Sequence, residues 1–134
     1  MVEKKTVFWI TDEPDNVGTL LFPQLLEERF SFMSVTTFRT HDRKFEQLDK
    51  SKPTALAIIA LNRAYGCLDV VAMINELRVF IGDTTPIIVT NINHGKVILP
   101  RQTHPSSVDV QYVLLEKEHA WTGLRTAIMK ALDL

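Results

Sequence analysis

The sequence predicts an α/β fold, a doubly wound parallel sheet with helices on both faces. Two observations carry that reading. Strand-like and helix-like segments alternate along the chain, and the run Ala55-Leu56-Ala57-Ile58-Ile59-Ala60-Leu61 is apolar throughout, with no polar alternation. Alternating element types imply parallel strands joined by right-handed crossovers. A strand apolar on both faces must be covered on both, as strands inside parallel sheets are.

The elements follow in order. Thr6-Val7-Phe8-Trp9-Ile10 is a β-branched and aromatic run bounded by Lys4-Lys5 and by Asp12-Glu13-Pro14-Asp15, which reads as a buried first strand. Pro14 suits a first helical turn, and the flanking acids suit the positive end of a helix dipole. A helix is expected from there through Arg29, with Val17, Leu20, Leu21 and Leu25 as its apolar stripe and Pro23 kinking it or splitting it near Phe22. Residues 32–38 have strand composition, and His41, Phe45 and Leu48 fall at helical spacing, giving a second strand and a short second helix.

After the breaker Ser51-Lys52-Pro53 comes the apolar third strand, residues 55–61. Val70, Ile74, Leu77 and Ile81 then share one helical face, and Gly82 stands where helices commonly stop. Residues 85–90 make a fourth strand, residues 110–115 a fifth, and Trp121, Leu124, Ile128 and Leu132 mark a closing helix. Between the last two strands, the segment from Asn91 to Asp109 holds Gly95, Pro100 and Pro105, too many breakers for an ordinary helix. The fourth helix is therefore expected to be irregular or missing.

Bulk properties bound the function. The chain has 134 residues, 46% hydrophobic and 23% charged, with 15 basic against 16 acidic side chains. That is enough for one domain, residues 1–134, with a core that needs neither metal nor disulfide. Near-zero net charge argues against nucleic-acid binding, which needs a concentrated basic face. The single cysteine, Cys67, and the absence of an apolar leader after Met1 point to a reducing, cytoplasmic setting. The longest apolar runs are strand-sized, so no membrane segment is expected.

Local motifs for chemistry are sparse. His41, His94, His104 and His119 lack metal-ligand spacing and read as surface residues; no metal or cofactor is expected. Cys67 reads as a small buried hydrophobe rather than a reactive thiol. Neither a nucleophile elbow nor a Gly-rich phosphate loop occurs, which weighs against an enzyme. Lys96 and Arg101, with His94 and His104, make the irregular 91–109 segment mildly basic, as a solvated loop would be.

In open α/β sheets, ligands collect beyond the carboxyl ends of the strands. Those ends carry Thr11, Asp12 and Glu13; Ala60, Asn62 and Arg63; Thr90 and Asn91; Glu116 and Lys117. Here the segment Ile10-Thr11-Asp12-Glu13-Pro14-Asp15-Asn16 resembles the first-strand signature of bacterial response-regulator receiver domains, and the likeness spans essentially the whole chain. The resemblance implies a flavodoxin-like five-stranded sheet of order 2-1-3-4-5. In that family two acids after the first strand and an aspartate ending the third hold a divalent cation, and that aspartate accepts a phosphoryl group. A Ser/Thr after the fourth strand and a Lys after the fifth bind the phosphoryl oxygens.

This chain departs from the pattern. Thr11 replaces the first acid and Asp12 is retained, while Leu56-Ala57-Ile58-Ile59-Ala60-Leu61-Asn62 puts Ala60 in the acceptor slot. An alanine methyl cannot form an acyl phosphate, and Mg2+ coordination needs carboxylates. Counting from Pro86 puts Asn91 in the hydroxyl slot; counting from Tyr112 puts Leu115 in the lysine slot, with Lys117 two residues on and on the same side if the strand continues.

The chain thus resembles the degenerate pseudo-receivers, which keep the fold and lose the phosphorylation chemistry. What the resemblance implies is a signalling module of a bacterial two-component pathway working through protein partners, with a homodimer among the arrangements. Tyr112 matches the family's switch aromatic, and Trp121 lies in the region through which the family docks. Two alternatives stand beside this: an anion or small-molecule sensor using Asp12, Asn91 and Lys117, and the regulatory domain of a longer transcription factor or kinase.

Overall fold

A computed structural model of the chain describes residues 5–12, 17–39, 54–62, 67–91, 110–114 and 120–133. The elements are β1 (Lys5–Thr11), α1 (Val17–Arg29), β2 (Met33–Arg39), β3 (Thr54–Leu61), α2 (Cys67–Ile81), β4 (Ile87–Asn91), β5 (Val110–Leu114) and α3 (Ala120–Ala131). The five strands form one sheet of order β2-β1-β3-β4-β5, every pairing parallel, which is the flavodoxin-like arrangement. The expected second helix at residues 41–48 and the irregular connection at 92–109 lie outside the described residues.

The sheet divides two cores, and the period-2 geometry of its strands decides which residue enters which. On one face Phe8, Ile10, Phe38, Ala57, Ile59, Leu61, Ile87 and Val89 meet Val70, Met73, Ile74 and Leu77 of α2. On the other Val7, Trp9, Leu56, Ile58, Ala60 and Ile88 meet Leu26 of α1 and Leu124, Ala127 and Ile128 of α3. β3 is buried from Leu56 to Leu61, the consequence of its central place under helices on both sides. Each fully buried Ile or Leu there stabilises the fold by about 1.5–3 kcal/mol relative to exposure.

Helix α1 runs unbroken through Pro23, so the expected split near Phe22 does not occur. The proline removes one backbone donor, yet Phe22 stacks on Trp9 at 5.7 Å and Leu26 is fully buried. Packing on both sides of the proline holds the helix across the missing bond.

Helix α2 ends as its glycine demands. Gly82 adopts φ +89°, its N–H donates to the Arg78 carbonyl at 2.9 Å, and a Cβ there would meet nothing within 4 Å. Only a residue free to enter the left-handed region closes a helix this way without strain. The Thr85 hydroxyl then donates to the Ile81 carbonyl at 2.8 Å, and Arg78 Nη1 donates to the carbonyls of Gly82 and Thr85. Three otherwise orphaned carbonyls around the helix end are thereby satisfied, and β4 is aimed into the sheet. No helix of the described residues is long and apolar enough to cross a membrane.

Candidate functional site

The site lies where β1, β3 and β4 end. Register sets it: Thr11 pairs with Ala60, and Ala60 with Thr90, so the three side chains stand in one row on the α1/α3 face of the sheet. All three are fully buried. Adjacent strands are roughly 4.8 Å apart, which places the two threonines about 10 Å apart with the Ala60 methyl between them.

Just beyond the row, Asp12 and Asn62 follow β1 and β3, each 8% exposed. The Asn62 backbone N–H donates to Asp12 Oδ1 at 2.9 Å. Its side-chain amide donates to the same oxygen at 3.0 Å and to Thr11 Oγ1 at 3.1 Å. An amide nitrogen carries two hydrogens, so both side-chain bonds can form together. The carboxylate is thus tied to the neighbouring strand by charge-assisted hydrogen bonds, which extend the β1–β3 pairing past the ladder.

The chemical capacity of this arrangement follows from its residue types. Among the described residues at the strand ends Asp12 is the one carboxylate, and its Oδ1 already accepts two N–H groups. Among the described residues no group of three His, Cys, Asp or Glu side chains is placed to hold a metal ion. At the centre of the row stands a methyl, which offers neither nucleophile nor ligand.

Thr11, Asp12, Ala60 and Asn62, which the sequence places at the ends of the first and third strands, stand side by side in the structure. Asn91 is the last residue of β4 and pairs with Leu61, whereas Thr90 pairs with Ala60. Counting from Pro86 therefore reaches the residue one past the partner of Ala60. Thr90, which the sequence also places at the end of the fourth strand, joins the row by strand alternation: Ile88 and Thr90 share a face, and Ile88 belongs to the α1/α3 core. Thr90 Oγ1 is buried and accepts or donates no hydrogen bond among the described residues.

Tyr112 is central in β5, paired with Val89. Trp121 sits in the first turn of α3, half-buried, with its ring 6.3 Å from that of Phe30 at the margin of the core. Glu13 and Lys117 lie outside the described residues. No protein-family model, curated protein or solved structure matches the chain.

Proposed function

We propose that the chain is a pseudo-receiver: a signalling module of receiver type that has given up phosphoryl transfer and acts by binding protein partners, in a bacterial cytoplasm. The observation that carries the reading is Ala60, a buried methyl at the end of the central strand, in the slot where the receiver likeness expects the phosphoryl-accepting aspartate. The tie from Asn62 to Asp12 supports it, because the retained acid is satisfied by the protein's own amide donors. In such a module a partner shifts the population of conformers by binding one of them better, with no covalent signal.

The test is incubation with Mg2+ and acetyl phosphate, or with Mg2+ and beryllofluoride, followed by intact mass and Trp fluorescence. The expected result is an unmodified chain with no cation-dependent change in emission. Ala60→Asp, checked for folding by circular dichroism, serves as the comparison. An acid-labile phosphoryl adduct on the parent chain would overturn the reading and return the site to a phosphate-driven switch.

A further inference from the structure

Among the described residues β2 is an edge strand, paired with β1 alone. The Lys5 N–H donates to the Phe32 carbonyl at 2.7 Å, so even-numbered residues of this strand turn their backbone groups toward β1 and odd-numbered ones turn theirs outward. The outward N–H groups are capped at the start of the strand. Met33 N–H donates to the Phe30 carbonyl at 2.9 Å, and Val35 N–H donates to Glu27 Oε1 of α1 at 2.8 Å. Beyond Val35, no described residue accepts the outward N–H of Thr37 or Arg39. Between the capped start and Arg39 at the end of the strand, residues 34–38, Ser-Val-Thr-Thr-Phe, include neither a charge nor a proline to protect the edge.

The charges flanking this open edge select its occupant. Consider a second copy of β2 laid antiparallel along the first, with a two-fold axis at Thr37. Thr37 then exchanges backbone hydrogen bonds with its own equivalent, and Val35 of each copy faces Arg39 of the other. Directly opposed residues share a face, and Arg39 pairs with Thr11, Val35 with Val7, on the face that α1 covers. Arg39 of one copy therefore arrives beside Glu27 of the other, twice by symmetry. The Val35 N–H exchanges the Glu27 carboxylate for the incoming Arg39 carbonyl, and the released carboxylate meets the guanidinium. Glu27 and Arg39 are both exposed.

We propose that the β2 edge pairs antiparallel with β2 of a second copy about a two-fold axis at Thr37, with Arg39 of each copy set against Glu27 of the other. The sheet becomes continuous across the dimer, by the same backbone pairing that peptide-binding domains use at sheet edges.

Sedimentation equilibrium of the full chain, from about 1 µM to about 1 mM, tests this. The parent is expected to associate reversibly to a dimer. Thr37→Pro removes an outward N–H and leaves the β1 ladder intact, and it is expected to abolish the dimer. Glu27→Arg and Arg39→Glu are each expected to weaken association about tenfold, and the double variant to recover to within about threefold of the parent. Circular dichroism of each variant confirms that the fold persists. A parent that stays monomeric throughout, a dimer indifferent to Thr37→Pro, or a double variant no tighter than either single one overturns the proposal.

Discussion

Replacing Asn62 with alanine cuts the side-chain half of the tie between β1 and β3 while sparing the backbone half. Two hydrogen bonds go: Nδ2 to Asp12 Oδ1 at 3.0 Å, and Nδ2 to Thr11 Oγ1 at 3.1 Å. The bond from the Asn62 backbone N–H to Asp12 Oδ1, at 2.9 Å, survives. A hydrogen bond to a charged acceptor contributes about 1.5–3 kcal/mol, and one to a neutral hydroxyl about 0.5–1.5 kcal/mol. Asp12 is 8% exposed and Thr11 fully buried, so water replaces the lost donor poorly at the first and hardly at all at the second. The expected loss is about 2–4 kcal/mol, well above the typical effect of a surface substitution. Asn62→Asp should cost more than Asn62→Ala at neutral pH, because it sets a second carboxylate against the first with no side-chain donor between them. Urea unfolding followed by the emission of Trp9 and Trp121 measures both. A loss under about 0.5 kcal/mol for Asn62→Ala, or an Asn62→Asp variant as stable as the parent, would refute the assignment of the tie as a stabilising feature of the strand ends.

Three further outcomes test other parts of the structure by the same unfolding assay. Thr90→Val removes a buried hydroxyl that has no partner among the described residues, so stability should rise by up to about 1–2 kcal/mol; a fall of similar size would reveal that the hydroxyl is engaged. Gly82→Ala should cost about 1–2 kcal/mol through the left-handed φ of +89° alone, since a Cβ there meets no neighbour, and Gly82→Asn should cost less. Leu26→Ala, in the fully buried part of α1 just after Pro23, should cost about 3 kcal/mol; a cost below 1 kcal/mol would mean that α1 is not anchored on the sheet as described.

Much of the fold was legible because its signals are local. The β-branched run 6–10 and the unbroken apolar run 55–61 specify strands by composition alone, and β1 and β3 fall on them with a residue added at one or both ends. Val70, Ile74 and Leu77 repeat at helical spacing and enter the core below α2, and Gly82 ends that helix by its own conformational freedom. Pro23 was less legible. Its local preference argues for a break, and packing of Phe22 and Leu26 against the sheet outweighs it.

The candidate site divides in the same way. Ala60 ends the central strand with a methyl, and the sequence by itself determined that this position carries neither a nucleophile nor a metal ligand. Which residues stand beside it was decided only by tertiary structure, because strand register links residues about thirty or fifty positions apart and one step of slip exchanges the faces. Thus Thr90, not Asn91, pairs with Ala60, and Asn62, fifty positions along the chain, donates to Asp12. The edge position of β2 is likewise tertiary, since nothing in Ser34-Val35-Thr36-Thr37-Phe38 states which side of the strand lacks a strand partner among the described residues. Composition and periodicity report how each segment meets solvent; only the assembled sheet fixes which distant side chains share a row, and that pairing creates the site.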